Sequence, residues 1–566
     1  MILRALYDYY HRCGNLPKKG MELKQIGFII VLDSDGKFLR FEDRRIDKKR
    51  AQEFLVKKSV SRTSAPVANY LYDSSSYVFG YSDKGVDKAY RDFEVFKAKV
   101  EDIYNANPDN RDLVAIHNFY QNSRDAILEM LKADPLWGEV LNDLNKKFSV
   151  FSFMTEGDTK IVAEKQELMH LSEDTGTSSG GTICLISGNN STIVQTTTAT
   201  MIPGSQATAK LVSFQVKSGY DSYGKTQGGN APIGEEAEFA YTTALNHLLR
   251  RDSHNKFGVG NRTFVFWTSG NSEAGQQVEE SIFDLFGYSD AEADDPNQGV
   301  ENVRKVFSAI YSGSIKTSLD DKFYILGLAP NSARIAVTYW AEIPLKEFAE
   351  RIYRHFDDMS IVDTRKDKTS YMGLRSMLSA VTLGGKQSDV TPNLPEAVVK
   401  SIFQGLPYPQ PLYSGCVRRI RAEQNFGITR AAIIKAYLNR LNDNEQKIQI
   451  MLDKENTNQG YLCGRLFAVL DKIQGDANRQ HSIKERYMNS ASSTPAAVFA
   501  TILNLSSHHS EKLSEGSRVY YEKLKQEIID KISADGFPAH LDLQDQGRFF
   551  VGYYHQLQGF YVKNEE

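Results

Sequence analysis

Cysteine is scarce in this sequence. The four residues Cys13, Cys184, Cys416 and Cys463 lie 171, 232 and 47 positions apart, so there is no C-x-x-C pair and no zinc-ligand spacing. That usage fits a reducing, cytoplasmic setting. Long apolar runs are also missing: nowhere do about 18 uncharged apolar residues follow one another, which excludes a membrane helix. The opening MILRALYDYYHRCGNLPKKG carries charge throughout and lacks the apolar core of a secretory signal. An excess of charge of either sign is absent as well, since Lys+Arg 68 against Asp+Glu 71 leaves a formal charge of -3. On that total alone a nucleic-acid partner looks disfavoured, because duplex binders usually carry a strongly basic surface.

What is present is length and an ordinary globular balance, 566 residues with 41% hydrophobic and 25% charged. At roughly 150 residues per domain this is core for three or four domains. Periodicity predicts an α+β protein. Leu3, Leu6, Tyr7 and Tyr10 share a helical face, and IGFIIVLDSDGKFLRFEDRR reads as a hairpin turning at Asp33 to Gly36. RTSAPVANYLYDSSSYVFGY reads as a loop and a strand, and residues 84–150 as charged helices.

Between Phe148 and Val216 the texture is β: FSVFSFM, TKIVAE, GTICLI, STIVQT and KLVSFQV are short β-branched runs separated by Gly, Asn and Ser. A helix over GEEAEFAYTTALNHLLRR, a strand RTFVFW and a hairpin DKFYILGLAPNSARIAVTYWAEIP follow, then a helix from LKEFAERIYRHFDDM. From about Thr391 five helix-patterned segments with short polar links predict an antiparallel bundle. The shift of composition near 390–400 divides the chain into an α+β domain, 1–395, and a helical domain, 396–566.

Charge is distributed unevenly. From Lys37 to Arg62 ten basic residues, among them Arg44, Arg45, Lys48, Lys49, Arg50 and Arg62, face four acids. Between 400 and 440 Lys400, Arg418, Arg419, Arg421, Arg430, Lys435 and Arg440 face only Glu423. Residues 273–301 carry nine acids and no Lys or Arg, and without them the net charge is +6. Solvated surface is the plain reading of each run; a phosphate-contacting role is the alternative for the two basic ones.

One motif requires a decision. Gly219 to Thr226, GYDSYGKT, satisfies the Walker A pattern after the apolar LVSFQV. A phosphate cradle also needs a helix starting at the Gly-Lys, and here Gly228, Gly229 and Pro232 intervene. No apolar strand ending in Asp follows to hold magnesium. The P-loop NTPase is thus the lesser alternative to a glycine-rich loop displaying Lys225, Gln227 and Asn230, side chains suited to phosphates and base edges. H-E-x-x-H, G-x-S-x-G and His-Asp signatures are absent, so no catalytic residue, metal ligand or cofactor is assigned.

MILRALYDYYHR, GFIIVLDSDGKF, LVSFQVKSGYDSYGKTQGGNAPIGEEAEFAYTTALNHLLR, ARIAVTYWAEIPLKEFAERIYRHFDDM, YLCGRLFAVLDKIQ and SASSTPAAVFATILNL stand in collinear order over the whole chain. In these stretches the sequence closely resembles the large subunit of the type I-C CRISPR Cascade complex. The resemblance implies a non-catalytic subunit at the crRNA 5′ handle end, beside the backbone and handle-binding subunits. It implies recognition of the protospacer-adjacent motif (PAM) on double-stranded DNA, duplex opening, guidance of the displaced strand and docking of an effector nuclease-helicase. The C-terminal part is similar to small Cascade subunits, and Met451 is a candidate internal start. Anti-CRISPR proteins are further candidate partners.

Under that resemblance Asn69 and the loop Lys225, Gln227 and Asn230 are the expected PAM readers, through minor-groove acceptors and a wedge at the first base step. Arg44, Arg45, Lys48, Lys49, Arg50, Arg62, Arg418, Arg419, Arg421 and Arg430 are the expected phosphate contacts. Tyr408, Tyr413 and Phe426 are expected stacking platforms for a displaced strand.

Overall fold

The computed structural model describes the chain except residues 1, 49, 61, 63–64, 83–84, 145–147, 170–180, 217–222, 286–295, 366–371, 442–445, 479–481 and 563–566. It divides into two units, one of residues 13–195 and 231–243, the other of 1–12, 196–230 and 244–566. Both mix helices with short sheets, the α+β class expected.

The first unit is organised by a four-stranded sheet in the order Phe38–Asp43, Phe28–Leu32, Val150–Thr155, Tyr72–Ser74. Phe28–Leu32 is buried at every position, which is what its unbroken apolar run requires of a strand covered on both faces. Its hairpin partner Phe38–Asp43 is antiparallel, whereas Val150–Thr155 lies parallel to it, with Phe28 opposite Phe151. The hairpin turn needs Gly36: its φ is +87°, and a Cβ there would stand 2.4 Å from the Ala115 carbonyl.

The charged stretch 84–150 forms helices Val86–Ala106, Arg111–Phe119 and Arg124–Lys132. The second starts at Asn110, whose side chain accepts from the Asp112 and Leu113 amides, and the third at Ser123, which caps Ala126. Phe96, Tyr120 and Phe153 pack between helices and sheet.

Of the five β-like runs between 148 and 216, the first forms a full strand. TKIVAE becomes a 3-10 turn, Val162–Glu164. Thr182–Ile183 pairs with Asn190–Ser191 for two residues, Ile193 makes one bridge to Gly234, and Lys210 one to Arg334. A β-branched composition makes a strand only where another strand is present to pair with, and the Gly, Asn and Ser spacers interrupt any longer register.

The second unit contains an antiparallel sheet in chain order, Lys256–Val259, Arg262–Thr268, Lys322–Asn331 and Arg334–Pro344. The helix Leu345–Met359 covers one face, Phe348 stacking on Phe323 at 3.9 Å. Helix Ile2–Arg12 docks by Arg12, whose guanidinium donates to the Thr268 carbonyl at 2.8 Å and the Gly270 carbonyl at 2.9 Å.

The five expected helices are present as Ile428–Leu441, Gln459–Asn478, Pro495–Ser510, Glu515–Ile529 and Leu543–Gly559. One continuous apolar core runs from Phe257 and Phe266 through Phe348 and Val398 to Phe467 and Tyr553. The change of texture near 390–400 therefore falls inside this unit. The helix Gln459–Asn478 is buried nearly all round, consistent with apolar residues on more than one of its faces.

Candidate nucleic-acid interface

The basic run after Lys37 folds into short strands, and its cations meet nearby acids. Arg45 is held by Asp43 at 2.6 Å, by Asp143 at 2.8 Å and by Glu139, with its guanidinium 4.6 Å from the centre of the Phe28 ring. The Asp43 hydrogen bond raises the Arg45 pKa further, and burial opposes it only in part. Arg44 is paired with Glu42 at 2.5 Å and with Gln52 at 3.1 Å; Arg50 is paired with Asp47 at 2.7 Å. Arg44 and Arg45 are engaged inside the fold, whereas Arg50 keeps an exposed side chain beside an exposed Asp47. Lys48 is exposed with no ion pair or side-chain hydrogen bond among the described residues, and Lys49 lies outside them.

Asn69 is not an open-groove reader as it stands. It is only 7% exposed. Its Oδ1 accepts from the Val60 amide at 2.9 Å, and its own amide donates to Asp73 at 2.9 Å. Arg62 closes the same cluster: it pairs with Asp73, donates to the Val67 carbonyl at 2.8 Å and lies 4.0 Å from the Tyr77 ring centre. Burial pushes the Asp73 carboxyl up, and the Asn69 amide and Arg62 pull back without cancelling it. Sequence reasoning chose Asn69 as a short polar group on a loop; the burial of that loop carries no local sequence signal.

The loop Tyr223 to Asn230 has the opposite character. Tyr223 has φ +53° and is fully exposed, Gly224 has φ +72° and Gln227 φ +40°. The Gly229 amide donates to the Thr226 carbonyl at 2.8 Å, and the Asn230 side-chain amide donates to the Gln227 carbonyl at 3.1 Å, so the turn is closed by its own groups. Asn230 thus serves as a brace of the loop. Lys225 is exposed and Gln227 half-exposed, with no side-chain partner for either among the described residues.

The helix that a Walker A cradle needs does not start at the Gly-Lys. The described residues 211–216 form no strand, a 3-10 turn Gln227–Asn230 follows the Gly-Lys, and the next α-helix begins at Glu235. Gly219 itself lies outside the described residues.

The C-terminal basic run is divided too. Arg430 is 9% exposed and gives its three nitrogens to the Ala380 carbonyl, the Asn425 carbonyl and Glu423. A phosphate would find none of them free, so the expected phosphate contact is a packing residue. Arg419 pairs with Glu423 at 3.3 Å, and Arg421 donates to the Asn489 carbonyl at 3.3 Å. Lys435 and Arg440 are buried, the latter on Asp358 at 2.5 Å. Tyr408, Tyr413 and Phe426 are core residues, Phe426 stacking on Tyr553 at 4.1 Å, and cannot serve as open platforms.

Among the described residues Arg418 alone of that run is exposed without a partner. Beside Phe426 of this run stands the half-buried Lys484, which the 400–440 window missed. Gln424 donates to the Glu485 carbonyl, which brings the helix Ser482–Ala491 alongside, with the Lys484 ammonium 5.3 Å from the Phe426 ring. A tertiary neighbour sixty residues on leaves no trace in a local charge count.

Of the nine acids in 273–301, Glu279 proves structural: it accepts from the Thr268 amide at 2.7 Å and from Asn255 at 2.9 Å. Asp290, Glu292, Asp294 and Asp295 lie outside the described residues. No group of three or more His, Cys, Asp or Glu suited to a metal occurs among the described residues, and no helix there is long and apolar enough to cross a membrane.

Comparison with known families gives one result that covers the chain: the family described as CRISPR-associated protein (Cas_Csd1) matches residues 6–561. No curated protein matches.

Proposed function

The chain belongs to the CRISPR-associated Cas_Csd1 family, and from that premise we propose that it is the non-catalytic large subunit of a type I-C Cascade complex. In this role it recognises a PAM on double-stranded DNA, helps open the duplex, and supports R-loop formation and recruitment of an effector nuclease-helicase. Its partners would be crRNA, the backbone, handle-binding and small subunits, the target duplex and its displaced strand, with anti-CRISPR proteins as antagonists.

The observation that carries the DNA-reading part is the Tyr223–Asn230 loop. A turn braced by its own backbone, with a free ammonium and a free carboxamide, offers a phosphate contact and a base-edge contact at little cost in ordering on binding. Lys48 and Arg418, one from each basic run, are exposed cations with no ion pair or side-chain hydrogen bond among the described residues and are available for sequence-independent phosphate contacts.

The test is reconstitution of the guide-loaded complex with and without this chain, using duplexes that differ only in the PAM. The reading requires PAM-dependent binding only when the chain is present. PAM discrimination that survives its omission sinks the proposal.

A further inference from the structure

We propose that residues 211–216 are a strap that closes as a fifth strand on the open edge of the second unit's sheet, and that closure accompanies target binding. The strap leads into the 223–230 loop, so its role rests on the reading of that loop as a DNA contact.

The sequence LVSFQV has the β-branched and aromatic alternation of a strand, yet residues 211–216 form none. A partner lies beside them. Arg334–Pro344 is the last strand of its sheet, and Lys210 already makes one parallel bridge to Arg334. That rung is complete: the Lys210 amide donates to the Ala333 carbonyl at 3.3 Å, and the Lys210 carbonyl accepts from the Ile335 amide at 3.1 Å.

Parallel pairing dictates the next rung. The Val212 amide would donate to the Ile335 carbonyl, and the Val212 carbonyl would accept from the Val337 amide. Backbone groups alternate sides along a strand, so those of Val337 face the same edge as those of Ile335. Val337 is 45% exposed, and among the described residues no hydrogen bond reaches its amide from beyond the sheet. The Val212 amide is likewise without a partner among them.

One side chain holds the rung open. The Thr197 hydroxyl donates to the Val212 carbonyl at 2.6 Å, which turns toward Thr197 the acceptor that the Val337 amide would use. Closure exchanges this hydroxyl bond for two backbone bonds and orders the strap. These terms are of similar size and opposite sign, so both arrangements are within reach. With the strap closed, the 223–230 loop is rooted on a sheet, and Lys225 and Gln227 have less to order on meeting DNA. By linkage, whatever favours closure favours target binding, and the converse.

The test is hydrogen exchange read by mass spectrometry for peptides covering 211–216 and 335–339. It is run on the free full chain and on the reconstituted guide-loaded complex with and without target duplex. Thr197→Val keeps the side-chain shape and removes the donor; it should slow exchange of both peptides in the free chain and tighten target binding severalfold. Target duplex should slow the same peptides in the parent complex. Val212→Pro deletes the amide of the rung; it should abolish both slowings and weaken target binding severalfold, with an unchanged melting temperature. Exchange that Thr197→Val leaves unchanged in the free chain overturns the strap, and exchange that bound duplex leaves unchanged overturns its link to the target. The free-chain measurement contains no DNA, so it can fail while PAM discrimination holds and succeed while PAM discrimination fails.

Discussion

The side-chain oxygen of Asn69 accepts the backbone amide of Val60 at 2.9 Å, tying together two stretches of loop nine residues apart. Asp73, held by Arg62, fixes the Asn69 backbone from the other side. Replacing Asn69 by Ala leaves a part-buried amide without its acceptor, which costs about 1–3 kcal/mol. Asn69→Ala is therefore expected to lower stability in urea unfolding by that amount as well as to weaken binding to PAM-containing duplex. Binding loss with unchanged stability would make Asn69 a direct reader; stability loss with binding to duplex and pre-opened targets lowered alike would make it a brace only.

Lys225→Ala should behave in the opposite way. The ammonium has no partner among the described residues, so unfolding should be unchanged. Each phosphate contact contributes about 0.9 to the slope of log affinity against log salt, so the reconstituted complex should show weaker target binding and a slope shallower by about that amount. An unchanged slope removes Lys225 from the phosphate contacts. Gln227→Ala, by contrast, should alter PAM preference without changing the slope, because a carboxamide carries no charge.

For the C-terminal cations the structure narrows the useful substitution to Arg418→Glu, since Lys484 is half-buried beside Asp471 and Glu485. Reversing Arg419, Arg421 or Arg430 breaks contacts that hold the fold, and the loss would be read as instability. The Arg418→Glu protein should melt as the parent does and yield shorter-lived R-loops with the same PAM preference. R-loops of unaltered lifetime would make this face ordinary solvated surface.

The contrast between these residues shows where sequence reading succeeded. Elements with a strong period were legible: the Phe28–Leu32 strand with its Asp33–Gly36 turn, the Lys322–Pro344 hairpin, and the five C-terminal helices. The weak β runs from Thr182 to Val216 were not, because short β-branched segments acquire their structure from partners far along the chain. Charge misled for the same reason. Arg45 and Arg430 look like free cations in a basic run, but the acids that take them up include Glu139 and Asp143, about a hundred residues away, and carbonyls, which no charge count includes. Lys225 is exposed as its sequence suggests, because a loop of Gly, Gln and Asn is closed by its own groups among the described residues.

Gly464 predicts a large effect from a single methyl group. A Cβ there would stand 1.9 Å from the Phe549 carbonyl oxygen, and at Gly552 one would stand 2.3 Å from the Tyr461 carbonyl. The helices Gln459–Asn478 and Leu543–Gly559 thus touch backbone to backbone, a contact a neighbouring side chain cannot relieve by turning away. Overpacking of this kind costs about 1–3 kcal/mol or more. Gly464→Ala should lower the urea midpoint by at least that amount, whereas Gly516→Ala, where a Cβ meets nothing within 4 Å, should be neutral or stabilising. Equal effects at the two positions would show that the close crossing does not form.

Two buried imidazoles set the response to acid. His355 is bonded through Nδ1 to the Tyr408 hydroxyl at 2.7 Å, and His555 through Nδ1 to the Tyr461 hydroxyl at 2.9 Å. Burial, with Arg440 beside the first and Lys435 beside the second, pushes both pKa values down from 6.5 to about 3. The folded state therefore resists a proton that the unfolded chain takes up below pH 6.5. The stability due to neutral histidine is fully present above that pH and is lost as pH falls toward 3, by roughly 1.4 kcal/mol per pH unit for each group. Asp358, whose pKa burial raises against the pull of Arg440, works in the opposite sense, so the histidine contribution is read from the difference between the parent and the histidine variants. Unfolding free energy should fall between pH 7.5 and 5.5 in the parent, and by less in His355→Gln and His555→Gln proteins when each is referred to its own value at pH 7.5. A parent curve that is flat across this interval would mean that neither imidazole is held neutral by the fold.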